Sequence, residues 1–465
     1  MGGWFLPPFL RTPSPVAFAR FRACPRSVPG LIPRVFKRAN LCPGSGPARG
    51  CRWRGLIVFL LLGRMELRAE PRIPDRQSFF PIGAWLQSPT NAGRYRAAGI
   101  NTYVGLWQGP TRTQLSELQA ADMRVICFQN VTALQHAGAT NIIAWMQPDE
   151  PDNARSWGAR LGLGSPTPPE KIRADYLRMK ARDATRPVFL NLGQGVAWDN
   201  WYGRGSRNDH PEDYASYLEG CDIASFDIYP VNHPAPEVTG NLWYVPHGVT
   251  RLRRLTDDTK PVWNYIECTG IHRPEGKPTP LQVRAQVWMS LIHGARGIIY
   301  FVHQFEPKFV EAALLADPEM LAAVTQMNQQ ITSLAAVLNS PTSTNAVSVR
   351  SENPAAPIAS MVKQVGGFTY LFAVAMRPLE TDATFTLANI SEATTIEVLG
   401  ENRSLPVAQG KFSDHFGPWA VHLYRVKIFQ RDDAVIGRPP HSFKPRSSSV
   451  SRKSGSNNAN AAPIK

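Results

Sequence analysis

The chain has 465 residues, of which 43% are hydrophobic, and it carries a formal net charge of +15. This length exceeds that of one small domain and suits a large barrel with a smaller second domain. The positive charge lies at the two ends, because residues 77–430 contain 30 basic and 31 acidic residues. A neutral body argues against nucleic-acid binding by the folded part of the chain.

The first 76 residues fall into two segments. Residues 1–54 are rich in Pro, Arg and Gly without periodicity, which is typical of disorder or of sequence absent from the mature protein. In the signal-like segment 55–76, the apolar run 56–62 has basic residues before it and a candidate cleavage site at 67–69. The run is too short to span a bilayer. We expect an exported protein, periplasmic or extracellular; a short anchor or a chance apolar run is the alternative.

Residues 77–338 alternate between strand-like and helix-like segments. The predicted strands are 79–85, 102–107, 125–129, 142–146, 188–192, 223–229, 262–266 and 297–302. The predicted helices are 91–98, 111–121, 168–184, 211–219, 248–256 and 280–293, with a reduced or irregular helix in the short interval 130–141. Because strands that alternate with helices form parallel sheets with right-handed crossovers, eight such units predict an α/β fold, a closed (β/α)8 barrel.

The sequence pattern changes after the predicted barrel. Residues 311–338 predict a closing helix. Residues 339–428 favour a small antiparallel β-sandwich, because they contain short β-rich runs separated by Gly, Asn, Pro and Ser, at 347–349, 358–365, 368–376, 383–388, 394–399 and 419–426. Residues 429–465 predict a disordered basic tail. The body holds Cys127, Cys221 and Cys268, with neither a disulfide framework nor zinc-ligand spacing. We therefore predict no metal and no cofactor.

Two of the predicted strands end in carboxylates. The apolar run 142–146 is followed by Asp149, Glu150 and Asp152, and the run 262–266 by Glu267. In a closed barrel the C-terminal ends of all strands open on one face, where active sites are built. A pair of carboxyls is what hydrolysis of a glycosidic bond requires, and retaining enzymes hold them about 5 Å apart. We expect Glu150 and Glu267 to face one another at that separation.

Amides, acids and aromatics follow the other strands. Such side chains offer fixed hydrogen-bonding groups for sugar hydroxyls and flat faces for sugar C–H groups. The candidate substrate-binding residues are Asp149, Asp227, Tyr229, Trp107, Gln129, Asn191, Trp201 and His303. The expected partner is therefore a carbohydrate.

This arrangement resembles the clan A glycoside hydrolases over about residues 78–427, at the level of architecture. The resemblance implies Glu150 as general acid/base and Glu267 as nucleophile of a double displacement. The clan usually has Asn before its acid/base, where this chain has Asp149. The run 226–230 is similar to the strand that often brings a Tyr to the nucleophile. The strand-eight Trp that is common in the clan would be replaced here by Tyr300 or His303.

Two alternatives remain open at this stage. One is a magnesium-dependent barrel enzyme, in which Glu150, Asp227 and Glu267 would be oxygen ligands. The other is a carbohydrate-binding barrel that does not turn over its ligand.

Overall fold

The computed structural model describes residues 77–136, 141–154, 163–388 and 394–427. The predicted leader and export signal and the tail from 429 lie outside the described residues. Within those ranges, no helix has the length and apolar character that crossing a membrane requires.

Eight parallel strands close into a barrel, each paired with the next and β8 paired with β1. The strands are β1 (Ile82–Trp85), β2 (Thr102–Val104), β3 (Arg124–Cys127), β4 (Ile142–Met146), β5 (Val188–Leu192), β6 (Ile223–Phe226), β7 (Val262–Glu267) and β8 (Gly297–Phe301). Each falls on a predicted strand, which confirms the (β/α)8 barrel.

Helices follow the strands and cover the barrel. They are α1 (Ala92–Ala97), α2 (Arg112–Ala120), α3 (Val131–Gln135), α4 (Pro169–Arg182), α5 (Asp213–Leu218), α6 (Tyr244–Leu255), α7 (Pro280–Ile292), α8 (Pro318–Ser333) and α9 (Ala335–Asn339). The closing helix begins at Pro318 rather than at residue 311. The reason is local: proline lacks the N–H that a first helical turn leaves unpaired, and the Asp317 side chain accepts from the backbone N–H of Met320.

The inside of the barrel is filled with apolar side chains. They come from alternate strand positions and include Val104, Ile126, Phe189, Trp263 and Ile299. The opposite faces of the strands pack against the helices in a second core. Because the interior is filled, the polar side chains that follow the strands gather at the C-terminal mouth.

The second domain consists of two antiparallel sheets, ordered β10-β11-β16-β13-β14 and β15-β12-β9. Its strands are β9 (Val347–Ser351), β10 (Ile358–Val365), β11 (Phe368–Ala375), β12 (Thr381–Leu387), β13 (Thr394–Val398), β14 (Arg403–Val407), β15 (Lys411–Phe416) and β16 (Val421–Lys427). Side chains from both sheets, among them Leu371, Phe385, Phe412 and Tyr424, share one buried core. This confirms the predicted β-sandwich.

The two domains are joined by a continuous apolar contact. Trp288 of α7 is fully buried against Phe372 of β11, with ring centroids 5.2 Å apart. Residues of β11 and β16 belong to the same core as the barrel helices. The sandwich therefore packs on the helical layer.

Candidate active site

The loop after β4 holds its acids in a constrained conformation. Glu150 has a φ of 41°, in the left-handed region that non-glycine residues seldom adopt. Its backbone N–H donates to the carbonyl of Asn191 at 3.1 Å, and its own carbonyl accepts from Asn153 at 3.0 Å. Asp152, fully buried, accepts from the backbone N–H of Gly193 at 2.8 Å. These bonds tie the loop to the end of β5 and hold Glu150 in place.

Asn153 connects Glu150 to an aromatic side chain. Its amide oxygen accepts from Nε1 of Trp201 at 2.7 Å, and its side chain also hydrogen-bonds to Glu150. The approach depends on Gly193, because a Cβ there would lie 2.7 Å from the Asn153 amide oxygen. Sequence analysis missed Asn153, although it directly follows the Asp-Glu-Pro-Asp run.

The carboxyl group that interacts most strongly with Glu150 is that of Asp227, at the end of β6. The two side chains share a hydrogen bond. The pKa of Glu150 is raised well above its ordinary value, first by burial and then by the negative charge of Asp227. Burial raises the pKa of Asp227 to about 7. Since two carboxylates cannot hydrogen-bond without a proton between them, the pair retains one proton near neutral pH.

Asp149 adds a third acid to this cluster. It accepts from the side-chain amide of Asn191 at 3.0 Å. Burial, followed by the charge of Glu150, raises its pKa to about 8. Asp149 and Glu150 both remain partly exposed, so solvent reaches the cluster.

Two buried polar atoms beside the acids, the hydroxyl of Tyr265 and Oδ1 of Asn191, have no hydrogen-bond partner among the described residues. The hydroxyl of Tyr229 interacts with the carboxyl of Asp227. The charge of Asp227 helps to raise the pKa of Tyr229. The charges of Asp149 and Asp227 help to raise the pKa of Tyr265. Both hydroxyls therefore lie near the carboxyls. Sequence analysis missed Tyr265, which lies on β7 two residues before Glu267.

Aromatic rings surround these atoms. Trp85 contacts Tyr265 edge to face with ring centroids 5.5 Å apart, and Tyr229 lies 5.1 Å from Phe301. Exposed aromatic surface is available on Trp107, which is 43% exposed.

Glu267 has a different environment from Glu150. It is 0% exposed, and its two carboxylate oxygens accept from the backbone N–H of Val231 at 2.7 Å and from Asn232 at 2.9 Å (N–H) and 2.8 Å (Nδ2). Burial raises its pKa to about 7, against the lowering effect of these hydrogen bonds. Glu267 thus anchors the loop between β6 and α6. Its role as nucleophile stays a prediction, and the occupied oxygens do not favour it.

Two predicted substrate contacts face helices instead of the mouth. Tyr300 is fully buried, and its hydroxyl donates to Oδ1 of Asn328 on α8 at 2.9 Å. The side-chain amide of Gln129 donates to the carbonyl of Met179 in α4 at 3.1 Å. The structure therefore places Tyr300 against α8, because β8 turns it outward, and the amide of Gln129 against α4, and their contact with substrate stays a prediction that these positions do not favour.

His303 is held as a neutral side chain. It is 2% exposed, and burial lowers its pKa to about 4. Its Nε2 lies 3.0 Å from the side-chain nitrogen of Gln87, which also donates to the carbonyl of Glu311. These contacts give His303 a packing role at the rim of the barrel.

Within the ranges that the structure describes, no three His, Cys, Asp or Glu side chains are arranged to hold a metal ion. Glu150, Asp227 and Glu267, which were the ligands of the magnesium alternative, do not form such a group. The three cysteines are buried thiols.

Fold and site together define a (β/α)8 barrel protein with a C-terminal β-sandwich and a cluster of proton-sharing carboxyls at the barrel mouth.

Comparison with known proteins adds structural similarities. No family model matches the chain, and no curated protein matches it. One similar solved structure is an α-amylase from Geobacillus thermoleovorans complexed with acarbose, with 10% identity, a TM-score of 0.46 and coverage of 75% of this chain and 98% of that one. A GH30 endoxylanase from Clostridium papyrosolvens has 11% identity, a TM-score of 0.42 and coverage of 76% and 97%. The noncanonic maltogenic α-amylase AmyB from Thermotoga neapolitana has 10% identity, a TM-score of 0.43 and coverage of 76% and 99%. Similarity this distant does not bear on activity, which has to be inferred from the site.

Proposed function

We propose that this protein hydrolyses O-glycosidic bonds of an oligo- or polysaccharide, with Glu150 as its general acid. The observation that supports this is the hydrogen bond between Glu150, which is partly exposed at the barrel mouth, and the buried Asp227. The departing sugar oxygen must be protonated as its bond breaks, and a carboxyl with a raised pKa can do this near neutral pH. The exposed ring of Trp107, in the loop after β2, is an aromatic surface of the kind on which a sugar ring packs.

The neighbouring residues support this role for Glu150. Burial, followed by the charge of Asp227, keeps Glu150 protonated, and the side chain of Asn153 hydrogen-bonds to it and orients it. After the leaving group has departed, Glu150 is a carboxylate and can take a proton from the incoming water. Trp107, which is 43% exposed, is the candidate platform for a sugar ring, whereas Trp201 is buried and donates to Asn153.

The predicted double displacement assigns the second role to Glu267. To attack a sugar, this carboxylate would have to become exposed and give up hydrogen bonds to Val231 and Asn232. Breaking hydrogen bonds to a buried charge is unfavourable by about 1.5–3 kcal/mol each. Glu267 is therefore the weaker half of the prediction, and Glu150 the stronger.

The test measures hydrolysis of aryl glycosides and polysaccharides by the wild type, by Glu150→Gln and by Glu117→Gln, whose carboxyl is exposed on α2. We expect Glu150→Gln to lower kcat by about 10²–10⁴-fold on unactivated substrates, the usual contribution of general acid catalysis. The loss should be smaller for dinitrophenyl glycosides, because that leaving group needs no proton. Glu117→Gln should match the wild type.

Two results would overturn the proposal. Glycan binding by the wild type without release of reducing ends across the panel would favour the carbohydrate-binding alternative. Full activity of Glu150→Gln on unactivated substrates would exclude Glu150 as the acid.

A further inference from the structure

We propose that Trp201 is a positioning residue for the acid: through Asn153, it sets how firmly Glu150 holds its proton. The indole N–H of Trp201 fixes the amide of Asn153, and the amide nitrogen of Asn153 in turn donates to the carboxyl of Glu150. This inference rests on the proposed role of Glu150 as general acid and adds a residue to it. It gives Trp201 a function other than contact with a sugar.

The first argument is the direction of the Asn153 amide. Nε1 of Trp201 lies 2.7 Å from Oδ1 of Asn153. An indole nitrogen can only donate, so the atom that it binds must be the amide oxygen. The side chain of Asn153 also hydrogen-bonds to that of Glu150, and this bond favours the carboxylate form. A bond that favours the charged form is one donated to it, so the amide nitrogen is the partner of Glu150.

The second argument is that the backbone around Asn153 leaves its amide little room. A Cβ at Gly193 would lie 2.7 Å from the amide oxygen and 2.8 Å from the amide nitrogen. The backbone N–H of Asn153 donates to the carbonyl of Glu150 at 3.0 Å, and that of Ala154 donates to the carbonyl of Gly203 at 2.8 Å. The amide therefore lies clamped between the loops after β4 and β5. Its remaining freedom is a half-turn that exchanges oxygen and nitrogen.

The third argument is that Trp201 is itself held in place. Its side chain is buried, and three rings lie around it with centroids 4.6–6.3 Å away, those of Trp198, Tyr202 and His233. A Cβ at Gly203 would lie 2.3 Å from the indole, so this approach depends on glycine. Trp201 is thus a fixed donor to Asn153.

The bond matters because Glu150 changes its charge during the reaction. As the glycosidic bond breaks, Glu150 gives its proton to the leaving oxygen and becomes a carboxylate beside the buried carboxyl of Asp227. An N–H of Asn153 that donates to this carboxylate stabilises it and so eases the transfer. After a half-turn of the amide, its oxygen would instead accept from the protonated carboxyl and retain the proton. Trp201 opposes that orientation, because its N–H would then face the amide nitrogen.

Other titratable groups also act on Glu150. The described ones are Asp149 and Asp152 on its own loop, Asp227 and Tyr229 after β6, and Tyr265 on β7. His233 packs against Trp201, but burial lowers its pKa to about 4, so it is neutral near pH 7. Substitution of Trp201 keeps all of these groups, and the change that it makes is to the amide of Asn153.

The test is the pH profile of kcat/KM on an unactivated glycoside for the wild type, Trp201→Phe and Trp198→Phe. Trp201→Phe keeps an aromatic ring and loses the N–H. Its basic limb, where Glu150 loses its proton, should move to higher pH by about one to two pH units, the effect of one hydrogen bond to a charged group. Trp198→Phe is the matched control, since it removes an indole N–H from the same cluster and keeps the bond from Trp201 to Asn153. Its basic limb should coincide with that of the wild type.

A double-variant cycle separates positioning from general damage to the site. Asn153→Ala removes the donor itself and should also move the basic limb to higher pH. In the Asn153→Ala background, Trp201→Phe should move it no further, because its effect passes through the amide. Additive shifts would show that Trp201 acts by another route and would overturn the inference. If Trp201→Phe does not fold in urea-unfolding assays, Asn153→Ala decides alone, and an unmoved basic limb refutes the inference.

The ionisation of Glu150 can also be followed without turnover. In protein labelled with ¹³C at the side-chain carboxyl of glutamate, the signal of Glu150 is the one that Glu150→Gln lacks. Its titration should move to higher pH in Trp201→Phe. If neither this titration nor the basic limb moves, the inference is wrong, while hydrolysis by the wild type still upholds the proposed function. If the wild type hydrolyses no glycoside and the titration does move, the proposed function fails and the link from Trp201 to Glu150 stands.

Discussion

The clearest single test of how the acids divide their roles is the substitution Glu267→Gln. The side chain of Glu267 is buried, and its oxygens bind the loop after β6 through Val231 and Asn232. Glutamine keeps the shape and one carbonyl oxygen, but it cannot ionise. Its amide nitrogen would face at least one of the donors of Asn232, which is unfavourable by about 1–3 kcal/mol.

The size of the pH effect on the free energy of unfolding follows from the pKa of Glu267, which burial raises from 4.5 to about 7. At 1.36 kcal/mol per pKa unit, this shift corresponds to about 3 kcal/mol. Because the pKa is raised in the folded state, the corresponding stability is fully present below pH 4.5 and is lost as the pH rises through about 7. Asp149 and Asp227 have raised pKa values as well, so the stability of the wild type changes with pH for several reasons. The contribution of Glu267 is the difference in the free energy of unfolding between wild type and variant at each pH.

The assay is urea unfolding at a series of pH values from below 4.5 to above 8, the range that brackets the shift. The free energy of unfolding of Glu267→Gln should fall less steeply with pH than that of the wild type, by a total of about 3 kcal/mol. The Glu117→Gln control should run parallel to the wild type. The reasoning fails if the difference between wild type and Glu267→Gln is the same at both ends of the range. Restoration of turnover in Glu267→Ala by azide would instead identify Glu267 as the nucleophile.

Three further substitutions test the site and the domain contact. Asp227→Asn should move the basic limb of the activity profile to lower pH, because the charge of Asp227 helps to raise the pKa of Glu150; an unchanged limb in a kcat/KM profile would contradict this. Glu150→Gly should raise the free energy of unfolding by about 1 kcal/mol, as measured by thermal unfolding. Glycine relieves about 1–3 kcal/mol of backbone strain, and the greater entropy of the unfolded chain offsets about 0.5–1 kcal/mol of this gain. Trp288→Ala should lower the free energy of unfolding by about 3–5 kcal/mol in urea, because it leaves a cavity against Phe372. The control Leu281→Ala, at a side chain that is 46% exposed on the same helix, should change the free energy of unfolding little.

The barrel was predictable because its signals are local. Most of the strands are apolar runs of three to six residues, as Ile142–Met146 is, and a polar residue or a glycine follows each of them within two residues. The prediction missed β14 and β15 in the sandwich for a related reason. Only part of their residues are buried, and β14 contains Pro406, which is tolerated because that strand lies at the edge of its sheet.

Side-chain direction explains most of what the sequence did not reveal about the site. Ile299 and Phe301 belong to the apolar cluster that fills the barrel interior, so Tyr300 between them must face the helices. The alternation alone indicates this direction. The hydrogen bond between Glu150 and Asp227 was not predictable, because both acids lie beyond the last strand residue, where loop contacts set their direction.

The acids near the mouth divide into two groups by their hydrogen bonds. Asp152 and Glu267 are fully buried, and each of their carboxylate oxygens accepts from a fixed donor, so these hydrogen bonds hold loops in place. Glu150 is partly exposed, has a left-handed backbone and hydrogen-bonds to Asp227, whose pKa burial raises to about 7. The left-handed backbone of Glu150 and the close contact of two carboxyls lower the stability of the fold. Such features persist where function requires them. Neutral substitutions in the first pair should therefore reduce folding stability, and those in the second should reduce turnover with stability unchanged or increased. If Asp152→Asn and Asp227→Asn gave the same pattern in parallel unfolding and hydrolysis assays, this division of roles would be wrong.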